Sequence, residues 1–195
     1  MFGQMSKWVA QIDRADRIPE YVARAFQVAN SGRPGPVVLA LPEDMLVESV
    51  NVPDAERVVV AKNRPTVQSM LDVKKLLEKS LKPLVILGGS GWSERAYLQV
   101  RTFIEKNNLP VGCSFRRQDL FDNHHPNYVG DIGIGINPKL AQMVKESDLL
   151  LVSGSRLGER TTSGYTLIQS PKPKQKLIHI HPGLNELGRV FQGDV

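Results

Sequence analysis

The sequence is poor in cysteine and aromatic residues and has no long apolar run. Cys113 is the only cysteine among 195 residues, so an internal disulfide framework is excluded. Its neighbours resemble the end of a short strand, which predicts a buried and inert thiol. No apolar run approaches the roughly 18 residues of a membrane span, and the first residues lack the charged-then-apolar order of a signal peptide. We therefore expect a cytoplasmic protein with no membrane partner.

The charge balance is basic, but the basic residues are scattered. Lys and Arg number 25 against 20 Asp and Glu, which gives a net charge of +5. Acidic residues interrupt the basic ones almost everywhere, and the lysines of 172–176 alternate with proline and glutamine, as in a solvated loop. This distribution does not favour a nucleic-acid partner. It would suit an anionic cofactor.

The most informative stretch is residues 148–162, where an apolar run enters a turn of small residues. Leu149 to Val152 has no alternating polar positions, which is typical of a strand covered on both faces in a parallel sheet. Ser153, Gly154 and Ser155 follow at its carboxyl end. Open parallel sheets bind their ligands at that end of their strands.

The region from Thr66 onward alternates helix and strand patterns, and Thr66 is suited to cap the first helix. Residues 114–137 are too long a stretch for a mere connection. This alternation predicts an α/β fold with a doubly wound, Rossmann-like parallel sheet. The predicted helices begin at Thr66 and cover 93–106 and 139–145, and the predicted strands cover 83–87, 109–112, 149–152 and 176–181.

The first 50 residues predict only a helix over 18–30, with Val22, Ala25, Phe26 and Ala29 on one face, and a fully buried strand over 36–41. One helix and one strand cannot cover both faces of a sheet. Residues 1–50 are therefore interpreted as the end of a domain, 51–65 as a linker rich in polar residues and proline, and 66–195 as a second domain.

Four motifs in order resemble landmarks of the thiamine-diphosphate-dependent enzymes, and within them the large subunits of acetolactate synthase. They are Gly32-Arg-Pro-Gly-Pro-Val37 with Pro42-Glu-Asp44, Pro83-Leu-Val-Ile-Leu-Gly-Gly-Ser-Gly91, Ser147-Asp-Leu-Leu-Leu-Val-Ser-Gly-Ser-Arg156 and Ile178-His-Ile180. The resemblance implies that 1–50 ends a pyrimidine-binding domain and that 66–195 is most of a central domain. It also implies a homo-oligomer, a dimer or tetramer, acting on a small 2-oxo acid.

The resemblance places the catalytic machinery outside these residues. The activating glutamate would precede Met1, and the metal-binding Gly-Asp-Gly…Asn motif would follow Val195. Gly193-Asp194 departs from that motif because Val195 replaces its second glycine. We therefore expect no catalytic and no metal-binding residue here, with thiamine diphosphate and Mg²⁺ bound elsewhere in the parent enzyme.

FAD-containing relatives bind the adenine half of the cofactor in their central domain, so the resemblance implies a candidate cofactor site here. His181 stands where those relatives have an aspartate, and the segment 156–160 is also altered, which makes retention of FAD doubtful. The candidate cofactor-binding residues are Gly88, Gly89, Ser90, Gly154, Ser155, Arg156, Arg160 and His181.

Plainer interpretations of these residues stay open. In these interpretations the glycines serve only a tight turn, Arg156 and Arg160 pair with Glu159 or Asp148, and Trp8 and Trp92 are packing residues. The histidines at 124, 125, 179 and 181 lack an obvious cysteine or acidic partner for a metal. Three functions remain: part of a thiamine-diphosphate enzyme, a free-standing FAD- or NAD-type nucleotide-binding module, and a structural domain.

Overall fold

The computed structural model describes residues 2–61 and 63–195, and the chain divides into two compact units, Met1–Arg64 and Pro65–Val195. The strands are β1 (Trp8–Gln11), β2 (Val37–Ala40), β3 (Pro83–Leu87), β4 (Val111–Ser114), β5 (Tyr128–Ile132), β6 (Leu149–Ser153) and β7 (Lys176–Ile180). The α-helices are α1 (Ile18–Asn30), α2 (Glu43–Leu46), α3 (Val67–Lys79), α4 (Glu94–Lys106) and α5 (Pro138–Glu146). Short 3₁₀ helices occupy Ala15–Arg17, Gln118–Leu120 and Leu184–Glu186.

The first unit is a two-stranded parallel sheet with one long helix. β1 pairs with β2 in the register Trp8 to Val37. Strand β1 was not predicted from the sequence, because it is only four residues long and its residues alternate between half-buried and exposed. A small core of Ile12, Ala15 and Met45 closes the unit.

The expectation that the strand after α1 is fully buried is wrong. Strand β2 is half-buried, not fully buried, and Leu41 beyond it is 49% exposed. Helix α1 has the predicted bounds, but Phe26 on its apolar face is 61% exposed. The reason is that a two-stranded sheet and one helix leave apolar surface uncovered.

Residues 48–61 and 63–66 form neither helix nor strand. This stretch contains most of the predicted linker; Lys62, which belongs to that prediction, lies outside the described residues. The boundary between the compact units falls at Arg64.

The second unit is a five-stranded, fully parallel sheet in the order β5-β4-β3-β6-β7, as the doubly wound prediction requires. Successive residues of β3 point to opposite faces, so that Leu84 and Ile86 belong to one core and Val85 and Leu87 to the other. Helices α3 and α4 cover one face, and α5 covers the other.

Strand β4 and the stretch after it differ from the prediction. β4 runs from Val111 to Ser114, two residues later than expected, and the predicted loop 114–137 contains a 3₁₀ helix and the edge strand β5. Glycine and aspartate within β5 make the strand hard to recognise from the sequence, because both residue types are depleted in strands. Cys113 is buried as predicted, and burial raises the pKa of its thiol to about 12.

No helix among the described residues has the length and apolar character needed to cross a lipid bilayer.

Candidate functional site at the carboxyl edge of the sheet

The strand order reverses between β3 and β6, which creates a topological switch point at the carboxyl edge of the sheet. The chain leaves β3 toward β4 on one side, and β6 lies on the other side. Of the predicted site residues, Gly88, Gly89 and Ser90 follow β3, Gly154 and Ser155 follow β6, and His181 follows β7. The structure thus brings the turns after β3 and β6 together at the position where such sheets bind ligands.

The glycines of these two turns pack directly on each other. A Cβ atom placed on Gly89 would lie 2.0 Å from the Gly154 carbonyl oxygen, and one placed on Gly154 would lie 2.3 Å from that of Gly88. Both residues also have positive φ, +69° for Gly89 and +79° for Gly154. Close approach and backbone conformation therefore both require glycine here.

Hydrogen bonds already use two amides of these turns. Gly88 N donates to Ser153 O at 2.9 Å, and Gly154 N donates to Ile180 O at 2.8 Å. The indole Nε1 of Trp92 donates to Gly88 O at 2.8 Å and fixes the ring beside the crevice. These bonds serve the packing of the turns, so the plainer interpretation of the glycines accounts for them.

The start of α4 is also a poor place for a diphosphate. Its N-cap, Ser93, accepts a hydrogen bond from Ala96 N at 3.2 Å, and Glu94 places a carboxylate in the first turn. A carboxylate at that position repels an anion that the helix N-terminus would otherwise attract. The residues at the switch point therefore do not fit the diphosphate of FAD.

The arginines have partners that the sequence did not predict. Arg156 Nη1 lies 3.7 Å from Oε1 of the buried Glu186, so pairing with Glu159 or Asp148 is wrong for this residue. Glu186 is far away in sequence and polar, and no sequence signal marks it. The guanidinium carbon of Arg160 lies 5.6 Å from the centre of the Phe115 ring.

Asp148 precedes β6 at its amino end, and its carboxylate is engaged in hydrogen bonds there. Its carboxylate accepts hydrogen bonds from Ser80 Oγ, from Leu81 N at 2.7 Å and from Lys82 N at 3.1 Å. It therefore fixes the connection between α3 and β3 and is not a partner of either arginine.

The histidines make local bonds. His179 Nε2 lies 2.8 Å from Ser155 O, to which it donates, and burial lowers the pKa of the ring, so the neutral form prevails. His181 Nδ1 accepts from Gly183 N at 3.0 Å. His125 Nε2 lies 3.3 Å from Glu105 Oε1. Within residues 2–61 and 63–195, no group of three or more His, Cys, Asp or Glu side chains is arranged to hold a metal ion.

Asp194 does not fit a magnesium or diphosphate site either. Its carboxylate accepts from Leu177 N at 2.9 Å and from Lys176 Nζ at 2.8 Å. Partial burial raises the pKa of Asp194, but these bonds outweigh burial and hold the pKa below its usual value. The side chain therefore ties the last residues to β7.

The comparison that decides the family covers most of the second compact unit. Residues 70–195, about two thirds of the chain, match the family described as thiamine pyrophosphate enzyme, central domain. The chain belongs to this family. The parallel sheet of β3 to β7 is thus the sheet of a thiamine pyrophosphate enzyme central domain, resembling that of acetolactate synthase.

Three relatives of the chain are acetolactate synthase large subunits. The chain is 30% identical to the probable acetolactate synthase large subunit of Methanocaldococcus jannaschii over 206 residues, covering all of this chain and 34% of the relative. It is 30% identical to the acetolactate synthase large subunit of Haemophilus influenzae over 175 residues, covering 87% of this chain and 30% of the relative. The isozyme 2 large subunit of Escherichia coli is 26% identical over 184 residues, with coverages of 94% and 33%. The chain spans about a third of the length of these relatives.

Proposed function

We propose that the chain is part of a thiamine-diphosphate-dependent enzyme that decarboxylates a 2-oxo acid and joins the resulting two-carbon unit to an acceptor. The observation that carries this proposal is the match to acetolactate synthase large subunits over the entire chain, including residues outside the central domain. Thiamine diphosphate supplies the electron sink for decarboxylation when bound. Mg²⁺ belongs to the same proposal as the ion that anchors the diphosphate.

Within this proposal, residues 1–50 end a pyrimidine-binding domain, 51–65 link the domains, and 66–195 form the central domain. The incomplete sheet of β1 and β2 and the exposed apolar face of α1 support the first assignment. Uncovered apolar surface of this kind also favours association, so we propose a homo-oligomer. The cytoplasmic location stays a prediction.

We further propose that this chain has a structural role: it positions the catalytic domains of the proposed enzyme and contributes no catalytic residue. His179, Asp148 and Asp194, which have shifted pKa values, are each engaged in bonds that join strands or loops. Gly88, Gly89, Ser90, Gly154, Ser155, Arg156 and His181 then serve the packing of the switch point. A free-standing nucleotide-binding module is the disfavoured alternative, because Glu94 places a carboxylate in the first turn of α4, where it repels a diphosphate.

The test compares the 195-residue chain with the polypeptide encoded when the flanking reading frame is included. Each is incubated with thiamine diphosphate, Mg²⁺ and a panel of 2-oxo acids that begins with pyruvate, and release of carbon dioxide is measured. We expect activity only from the longer polypeptide. Activity of the 195-residue chain would contradict the structural role, and inactivity of the longer polypeptide toward every 2-oxo acid would contradict the enzyme assignment.

A further inference from the structure

We propose that a groove along helix α5 binds an extended, acidic segment of a separate protein, with one bulky apolar side chain of that segment seated in it. The groove has a volume of about 360 Å³ and opens to solvent. Helix α5 forms one side, and the residues that begin β3 and precede β4 form the other. This surface goes beyond the proposed function and does not depend on it.

The floor of the groove is apolar. Pro83 begins β3, Pro110 precedes β4, and Met143 lies midway along α5, and all three line the groove. Met143 is 40% exposed, so part of its side chain remains in contact with water. Covering such surface is favourable, and an unbranched methionine adapts its shape to what covers it. The floor is therefore suited to a bulky apolar side chain.

A lysine lies at each end of the groove. Lys139 is in the first turn of α5, and Ser147 follows its last turn. Lys82 lies at the second end, because its carbonyl oxygen accepts a hydrogen bond from Asp148 N at 3.2 Å, one residue beyond Ser147. The rise of an α-helix, about 1.5 Å per residue, places the two ends about 12 Å apart.

Neither of these lysines has an acidic partner in the part of the chain that the structure describes. Lys74, Lys75 and Lys176 lie within ion-pair distance of Asp or Glu side chains. The ammonium groups of Lys82 and Lys139 do not, although both lysines are exposed at the groove. Two cations are therefore available to an acidic ligand.

The position of Lys139 is not explained by the stability of the helix. The positive end of the helix dipole lies at the first turn, where a cation is disfavoured and an anion is favoured. The first turn of α5 contains Lys139 and no acidic residue. The helix dipole and Lys139 thus both favour a carboxylate at this end of the groove.

The spacing of the lysines fits an extended segment with acidic residues at its first and fifth positions. Side chains at the first, third and fifth positions of such a segment share one face, and the first and fifth are about 13 Å apart. An apolar residue at the third position then faces the floor at Met143. A second copy of this chain carries the same net charge of +5, which opposes self-docking and favours a separate protein.

The probe is a fluorescein-labelled peptide, Gly-Glu-Ala-Leu-Ala-Glu-Gly, titrated with the 195-residue chain at low ionic strength and followed by fluorescence anisotropy. We expect saturable binding at one site per chain, weakened by added salt. Labelled peptides with Lys in place of both Glu residues, or with Ser in place of Leu, should bind about tenfold more weakly or less.

Variants of the groove test the roles of its residues. Lys82→Gln and Lys139→Gln should each lower the affinity for the acidic peptide about two- to fivefold, as expected for an exposed ion pair, and the double variant should lower it further. Met143→Gln should lower the affinity as well. Glu146→Gln should raise it, because Glu146 lines the groove and repels the peptide.

Lys145→Gln is the matched control, because Lys145 is exposed in the last turn of α5, lies outside the groove lining and loses the same charge. Its affinity should stay at the wild-type value, and thermal melting should show every variant to be folded. Absence of saturable binding to the folded wild-type chain would overturn the proposal. So would an equal loss in Lys145→Gln, or equal binding of the basic peptide.

Sedimentation velocity of the chain without peptide tests the other occupant. The wild type and the Lys82→Gln/Lys139→Gln double variant should sediment alike at every concentration. Self-association of the wild type that the double variant loses would show that a second copy of the chain fills the groove, and the proposal of a separate partner would then be wrong.

Discussion

At the scale of single residues, the switch point depends on which glycines face another backbone. Gly89 and Gly91 are two residues apart and both have positive φ, +69° and +83°. They differ in surroundings, because a Cβ on Gly89 would meet Gly154 O at 2.0 Å, whereas a Cβ on Gly91 would meet nothing within 4 Å. The pair therefore separates the cost of backbone conformation from the cost of steric contact.

We expect Gly91→Ala to lower the free energy of unfolding by about 1 to 2 kcal/mol, the cost of a left-handed alanine. Gly89→Ala should cost at least about 2 kcal/mol more, because a backbone oxygen cannot rotate away as a side chain can. Urea unfolding followed by Trp92 fluorescence in a Trp8→Phe background measures the difference. Equal losses in the two variants would show that the turns do not pack as tightly as described.

The sequence predicted these residues as a small-residue turn but not their contact with each other. Gly88 to Gly91 and Ser153 to Ser155 are recognisable because turns favour such residues. That Gly89 faces Gly154 depends on the pairing of β3 with β6, which lie more than 60 residues apart. The ion pair of Arg156 with Glu186 was also not predictable, since no pattern in the sequence relates these two residues.

At the scale of elements, the Asp148 carboxylate joins the residues after α3 to the start of β6 through hydrogen bonds. Burial alone would raise its pKa, but the hydrogen bonds from Ser80, Leu81 and Lys82 outweigh burial, and the net pKa is below the ordinary 3.8. A lowered folded-state pKa means that the carboxylate stabilises the fold fully above 3.8. This stabilisation is lost as the pH falls through the lower, folded-state value.

Asp148→Asn should therefore lower the free energy of unfolding by roughly 1 to 2 kcal/mol at neutral pH, because an amide oxygen replaces only part of the accepting capacity. The difference from wild type should shrink as the pH falls below 3.8. Urea unfolding at a series of pH values measures it, with Asp54→Asn, an exposed change outside helix and strand, as the control. If the difference in the free energy of unfolding between wild type and Asp148→Asn stays constant down to acidic pH, the charge of Asp148 does not stabilise the fold.

Elements were predictable where a strand is buried on both faces. β3 and β6 lie inside the sheet order, and β7 lies at an edge but has three consecutive buried residues, so the apolar runs of all three strands were located within one residue. β5 lies at an edge, so Gly130 and Asp131 are tolerated within it and hide its pattern. β1 escaped detection for a related reason, since a strand of a two-stranded sheet buries little of its surface.

At the scale of the whole molecule, the family follows from the central domain, whereas the proposed activity rests on the relatives. Residues 70–195 match the family, and the relatives extend the similarity over the first unit as well. Within the described part of the chain, His179, Asp148 and Asp194 are each engaged in hydrogen bonds that join strands or loops. A scaffold of this kind is consistent with catalysis by groups supplied elsewhere in the enzyme.

Limited proteolysis tests the division of the chain directly. Arg57 is exposed and lies in the stretch 48–61, which has neither helix nor strand, whereas Lys75 and Arg101 lie within helices. Trypsin needs an extended, accessible backbone, so it should cut first after Arg57, and Arg64 should resist because Pro65 follows it.

The product that begins after the cut and ends at Val195 should stay intact and keep its melting temperature, because the sheet of β3 to β7 and both of its cores lie within it. Mass spectrometry identifies the cut, and circular dichroism follows the melting. Arg57→Gln is the control and should abolish this cut. Early cuts within α3 or α4, or a product that melts far below the intact chain, would show that the second unit does not hold its fold without the first.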